Sequence, residues 1–466
     1  MKVIVKNLIS LTLGESLSKL VGLCTTVYLA RTLAPSVYGH IGFALSCVSY
    51  FALLIYFGLD TVGLRETSRN ILQIRKLFNN ILSIRILLTG MAVFCISVFL
   101  LVARFETVRL VTLCIFTGML LSNTFAVQWI FNGLDRMKPI AFTQVISSAS
   151  TLLCVLLFVK SPDDIYIAAV IMVFSALLQC FLLYLMYIKI GTSFHFEFDK
   201  AYWRYLFKEA YPLFVSSVAI AVYYNMDIVL LGFLRSSQEV GEYTAAYKIH
   251  ASIILPASLI LNAMSPKLSR AFGDKLQQNR VSGQYARMMF IVGMPVSAFV
   301  FFYSDPMIRI IFGLSYANAG FALSMLALNA AFVFINMAYG NPLPIWYEQK
   351  KYMWCITAGG IGNVILNLLF IPPYGYNGAS IATLLSEVIV FVGLISIFYR
   401  MQRVSHLRNL IPMILISYGI GYLFHLYLTV NVLNIPVVFI CYLCVVVLAV
   451  FVFRIVRPGE VKLLLE

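Results

Sequence analysis

Apolar runs close to twenty residues long recur almost from end to end of this chain, separated by short polar turns. A helix needs about 20 such residues to cross a hydrocarbon core of about 30 Å. The runs place spans at 8–31, 40–59, 80–102, 107–132, 139–160, 165–189, 207–233, 242–265, 285–304, 320–341, 352–371, 376–399, 409–429 and 433–454, fourteen in all. A membrane barrel would instead show strict apolar–polar alternation over segments of about ten residues, a pattern this chain lacks. The expected fold is therefore an all-α polytopic membrane protein. The first run is too long for a signal-peptide core and no small-residue cleavage site follows it, so it reads as an uncleaved helix.

Composition agrees. Of 466 residues 61% are hydrophobic and only 11% are charged, where a soluble domain carries roughly a quarter charged. The net charge of +15 matters through its distribution. With the N-terminus inside, the cytoplasmic connections, both tails and the adjoining span ends hold 24 of the 34 Lys and Arg. The opposite side holds six: Arg31, Arg104, Arg109, Lys160, Arg235 and Arg309. That is the positive-inside pattern. It places both termini in the cytoplasm, and the charge implies no nucleic-acid partner. All nine cysteines fall within spans and act there as small apolar residues. Neither they nor the scattered His40, His195, His250, His406 and His425 have metal-ligand spacing. The longest external connection, 305–319, is too short for a folded external domain.

Six charges stand inside otherwise apolar spans: Glu15, Lys19, Arg85, Asp227, Lys248 and Glu387. Each costs about 2.5–3.5 kcal/mol on insertion scales, so such residues face water, each other or a ligand. A purely structural membrane protein would have little use for them. They point to a transporter.

The chain also divides. Residues 191–206 open with alternating Phe194, Phe196 and Phe198 and continue as a helix mixing aromatics with Arg204, a composition suited to the cytoplasmic bilayer interface. This linker separates an N-terminal lobe at 1–190 from a C-terminal lobe at 207–400, with two further helices and a tail at 401–466. An internal repeat supports the halves. After span one, and again after span seven, a short turn ends in Tyr/Val-Gly, at Gly39 and Gly241. An Ala follows five residues later, at Ala44 and Ala246. The offset is 202 residues, and repeated halves are how many transporters are built.

Four stretches carry a family likeness: LARTLAPSVYG at 29–39, GLDTVGLRETSRN at 58–70, WIFNGLDRMK at 129–138, and NMDIVLLGFL…VGEYTAAYKI across 225–249. Together with the span layout they resemble the polysaccharide flippases, the O-antigen and capsule repeat-unit exporters of the multidrug/oligosaccharidyl-lipid/polysaccharide superfamily. Many of these have twelve spans. The extra pair at 409–454 is similar to the fourteen-span arrangement of relatives that include lipid II flippases. The resemblance implies two six-helix lobes related by a pseudo-two-fold axis, in the cytoplasmic (inner) membrane. It implies an undecaprenyl-diphosphate-linked glycan as substrate, membrane lipid around it, and a polysaccharide polymerase as a candidate partner. Neither a cofactor nor a metal is called for.

Moving such a substrate requires cations and hydrogen-bonding groups near the midplane. On span one, Glu15, Ser18, Lys19, Gly22 and Thr26 recur at three- and four-residue steps and share a face. Two readings stay open: Glu15 and Lys19 as a self-neutralised pair, or Lys19 on phosphate with Glu15 tuning it or carrying a proton. Span seven repeats the pattern with Ser216, Ala219, Tyr223 and Asp227, with Tyr224 at the edge, and span eight with Thr244, Lys248 and Ser252. The resemblance implies that helices 1, 2, 7 and 8 line a central cavity, with Lys19 and Lys248 as substrate contacts across it. Asp227 is either a partner of Lys248 or an ion-coupling residue. Tyr223, Tyr224 and Tyr243 suit stacking on sugars or plain packing. Glu387 shares a stripe with Ser380 and Thr383 on span twelve, as a coupling residue or a protonated structural carboxyl. Arg31 and Arg235, at external span ends, either receive the diphosphate or anchor the helices. Arg85, about five residues into span three, is placed to snorkel to the interface.

The leading expectation is a flippase working by alternating access. A cation-coupled multidrug exporter of the same superfamily is the nearest rival; it should present acids rather than lysines to its ligand. A membrane glycosyltransferase or polysaccharide polymerase is the rival from another class, and it should carry large external loops.

Overall fold

The computed structural model describes residues 2–70, 73–189, 194–401, 407–427 and 434–452, with side chains from residue 14 onward, those of 407–409 and 451 excepted. The expected linker residues 191–193, Arg403, His406, and the tail at 453–466 with Arg454, Arg457 and Lys462 lie outside the described residues. The described chain is helical and forms two compact units. One comprises 1–232 with 236–241, the other 233–235 with 242–466. Among the described residues eleven helices are long and apolar enough to cross a membrane, and Ile435–Val450 is a shorter apolar one.

In the first unit, α1 (Lys2–Tyr56) contains two of the expected spans. Its helical path is interrupted at Ala34 (φ 63°, ψ 164°). Pro35 follows, and it removes an N–H and bars its predecessor from the helical region. Helices α2 (Leu59–Arg69) and α3 (Ile74–Val102) come next. The fourth span, expected as one helix over 107–132, is instead three pieces: α4 (Thr107–Thr117), α5 (Met119–Thr124) and α6 (Gln128–Gly133). Helices α7 (Lys138–Phe158), α8 (Ile165–Ile188) and α9 (Lys200–Leu234) complete this part. α1 packs on α7, α3 and α4, and α7 packs on α8. At one end of the unit Phe78, Ile81, Trp129, Phe131, Trp203 and Leu206 form a dense buried core.

The two repeat-related turns meet within this unit. A Cβ on Gly39 would lie 1.8 Å from the Ser237 carbonyl oxygen, and one on Gly241 would lie 1.9 Å from that of Pro35. The offset that relates the glycines, 202 residues, also relates Pro35 to Ser237. Glycine at both turns is what lets the backbones touch.

The second unit is built from α10 (Ser237–Arg270) beyond Gly241, α11 (Lys275–Phe302), α12 (Ser304–Phe312), α13 (Gly320–Gly340), α14 (Pro342–Ile345) and α15 (Gln349–Arg400). α16 (Leu407–Tyr427) and α17 (Ile435–Val452) follow. The residues between α11 and α13, expected as an external connection, include the amphipathic α12, which buries Ile308 and Phe312. α13 is buried around most of its circumference, as an apolar helix at the centre of a bundle should be. α15 contains two expected spans and is interrupted at Gly375 (φ 58°), just past Pro372 and Pro373. α16 packs on both α11 and α17. There the Ser297 and Tyr418 hydroxyls are 2.9 Å apart, and Tyr442 donates to the Ser417 carbonyl at 2.9 Å.

Candidate functional site

Arg85 does not snorkel. It is 1% exposed, because α3 carries it into the first unit beside the broken fourth span. The break between α5 and α6 frees the Ala126 carbonyl, and Arg85 donates to it at 2.8 Å. Its other terminal nitrogen pairs with Asp60 in the first turn of α2. The guanidinium also lies over the Tyr56 ring, 5.6 Å from its centre. A broken helix inside a bilayer must find partners for its freed backbone groups. Arg85 does that here, neutralised by Asp60. The sequence reading missed Asp60 although it stands in one of the family-like stretches, because no local spacing connects it to Arg85.

Two other arginines do similar work. Arg235 donates to the Ile371 and Pro372 carbonyls at 3.1 and 2.8 Å, where the prolines interrupt α15. Arg109 donates to the Gly232 carbonyl at 2.7 Å and to the Ser237 hydroxyl at 2.9 Å, and its guanidinium lies over the Phe43 ring.

The lysines behave differently. Lys19 on α1 and Lys248 on α10 are both exposed, and neither ammonium makes an ion pair among the described residues. Glu15, half-buried one turn before Lys19, is not joined to it. On the same face a Cβ at Gly22 would meet open space. The acids are the reverse. Asp227 is 2% exposed and accepts from the Ile228 N–H at 2.9 Å. Glu387 is 5% exposed, and Asn336 donates to its carboxylate at 2.5 Å and to its carbonyl at 2.9 Å. Tyr223 is buried with its ring 5.1 Å from that of Tyr224, which is exposed. Tyr243 is buried, its hydroxyl 3.4 Å from that of Thr383. Arg31 is exposed at the end of the first arm of α1.

The described part of the linker is fastened to α3. Asn79 and Ser83 accept from the His195 and Glu197 N–H groups at 3.2 and 3.0 Å, and Asn80 accepts from the Trp203 indole at 2.8 Å. Asp199 caps α9 by accepting from the Tyr202 N–H at 3.0 Å, and pairs with Lys76 at 2.9 Å. The Lys76 ammonium first, and then the Tyr202 N–H, hold the Asp199 carboxyl below its ordinary range. This latch is intact above the usual carboxylate pKa and is lost as pH falls through the lowered one. Phe196 and Phe198 are exposed.

A family model described as "Polysaccharide biosynthesis protein" matches residues 4–272, more than half of the chain. The chain belongs to the polysaccharide biosynthesis protein family. As a member of it, the chain is 22% identical over 395 residues to a protein of Escherichia coli (strain K12) named for O-antigen transport, an alignment covering 83% of this chain and 94% of that one. Its fold is similar to the lipid II flippase MurJ in an inward closed conformation, with a TM-score of 0.80 at 16% identity over 96% of this chain and 98% of that one. An inward-facing multidrug resistance MATE transporter of the MOP superfamily gives a TM-score of 0.67 at 14% identity, over 84% and 96% of the two chains. The family member is thus a polytopic helical membrane protein.

Proposed function

We propose that this protein is a flippase that carries a polyprenyl-diphosphate-linked oligosaccharide, a polysaccharide repeat unit, from the cytoplasmic to the outer leaflet of the cytoplasmic membrane by alternating access. The observation that carries this reading is the contrast among the intramembrane charges. Arg85 is buried and paired, Asp227 and Glu387 are buried, Glu15 is half-buried, and the two charges left exposed without an ion partner among the described residues are Lys19 and Lys248. A chain that leaves two ammonium groups uncompensated in apolar spans is suited to an anion, and a diphosphate is one. A carrier of cationic drugs would present its carboxylates instead. The relatives named for O-antigen transport and lipid II flipping support the same class of cargo.

In this reading Lys19 and Lys248 bind the diphosphate, Tyr224 stacks on sugar, and Arg31 and Arg235 receive the head group externally. Glu15, Asp227 and Glu387 are the ion-coupling residues. The repeat halves at 1–190 and 207–400, joined by 191–206, are the moving lobes, 401–466 is an addition to them, and a polysaccharide polymerase is the downstream partner. In this reading α1 and α15 make two passages each and the shorter apolar helix one, so that the eleven membrane-length helices among the described residues would give fourteen passages, with both termini inside as the Lys and Arg distribution implies.

Complementation of cells lacking their own repeat-unit flippase tests it. Lys19→Ala and Lys248→Ala should each lower surface glycan by about tenfold or more at unchanged membrane level, the scale of losing one charge-assisted contact. Normal display by both variants would sink the anion-binding model.

A further inference from the structure

Within the second unit α10, α13 and the second half of α15 are joined by buried polar side chains, of which the transport reading uses only Glu387. His250 on α10 is 3% exposed, and its Nε2 lies 2.7 Å from Asn329 Oδ1 on α13. Asn329 Nδ2 in turn donates at 2.9 Å to the Thr383 carbonyl on α15. A carbonyl only accepts, so the amide nitrogen of Asn329 must face Thr383 and its oxygen must face His250. The imidazole therefore donates from Nε2, and in the neutral ring the Nδ1 lone pair is left free. That Nδ1 is buried and has no hydrogen-bond partner among the described residues. One turn along α15, the Asn336–Glu387 contact repeats the link between α13 and α15.

We propose that Nδ1 of His250 is a proton-binding site, and that its occupancy decides whether α10, α13 and α15 keep this packing. The step is a single protonation: the Nδ1 lone pair takes a proton from water, no bond breaks, and the ring gains one positive charge. The new N–H would find no acceptor in this arrangement, and an unpaired buried cation is strongly unfavourable. Proton uptake thus favours a rearranged packing in which Nδ1 meets water or a carboxylate, and proton loss favours the one described. The groups around it are few. Tyr247 lies with its ring 5.3 Å from the imidazole, and Tyr243 reaches Thr383. Lys248 is two residues earlier on another face of α10, Glu242 lies two turns before His250, and α13 brings no charged residue. Glu387, one turn past Thr383, is the acid on the neighbouring segment of α15. His250 would couple a proton to the movement of the helix that carries Lys248. In that respect the inference rests on the proposed transport cycle, but the protonation itself does not.

The test uses the full chain in lipid nanodiscs with isotope-labelled histidine, the proton being the probe. His250→Gln keeps an amide N–H for Asn329 and removes the base, so the NMR signal it deletes is that of His250. The expected wild-type signal is the Nε2–H tautomer, converted reversibly to imidazolium on acidification before the protein unfolds. A signal that stays neutral until unfolding overturns the site, whatever the protein carries. In complementing cells His250→Gln should flatten the dependence of glycan display on the imposed proton gradient by about tenfold, with unchanged thermal stability. A variant that loses stability but keeps the wild-type gradient dependence assigns His250 a structural role and overturns the proposal. Loss of display in the lysine variants alone would bear on the cargo and leave this result untouched.

Discussion

Among the charged residues of the spans, arginine and lysine are used differently, and the physical chemistry of each side chain explains it. A guanidinium has five donors in a fixed fork and suits two or three carbonyl or carboxylate partners at once. Arg85, Arg109 and Arg235 each take a backbone carbonyl at a helix break or end. A lysine is a point charge on a long stem, and Lys19 and Lys248 are left without ion partners among the described residues. Removing Asp60 should strand the buried Arg85 cation. Asp60→Asn is expected to cost about 2–3 kcal/mol, below the 3–5 typical of a fully buried pair because the Asp60 side chain is 40% exposed. Replacing both by apolar residues (Arg85→Met with Asp60→Leu) should recover part of the loss, and thermal unfolding in detergent measures both. If the single variant melts like the wild type, Arg85 is held by Ala126 alone. The lysines and acids were legible as anomalies in apolar runs. The Arg85–Asp60 pair was not, since its partners lie on different helices and the carbonyl that completes the site appears only where the fourth span breaks.

At the scale of elements the chain is shaped by interruptions. Pro35 and the Pro372–Pro373 pair were visible in the sequence and coincide with the bends of α1 and α15. The breaks of the fourth span carry no proline and were read through as a single helix. The repeat glycines carry a sharper expectation. Gly241→Ala would drive a methyl group into the Pro35 carbonyl, and overpacking against backbone of this kind costs about 1–3 kcal/mol or more. Gly22→Ala meets open space in the middle of a helix and should be neutral or stabilising by up to about 1 kcal/mol. Membrane yield and melting temperature of the two variants should diverge; equal behaviour would mean that the turns do not pack as described. The polar rungs of the second unit were not read from the sequence. Asn329 and Asn336 are two turns apart on one face of α13, and Asn363 and Asn367 are one turn apart on α15, but what each rung binds depends on helices far away in the chain.

For the whole molecule the prediction is topological. With the nine native cysteines replaced, Leu314→Cys should react with an impermeant maleimide applied outside intact cells, and Leu276→Cys only after permeabilisation. Both positions are well exposed, at 78% and 81%. The reverse labelling would invert the orientation argued from the Lys and Arg distribution. Membrane residence, helical class, approximate span positions and the odd charges came from sequence alone, because hydrocarbon acts on each segment locally: every span must be apolar and must satisfy its own backbone. Tertiary structure decided which charges are neutralised, where a span breaks, which rotamer an amide adopts and hence which nitrogen of His250 is free. Those properties belong to contacts between segments distant along the chain, and no local pattern encodes the partner.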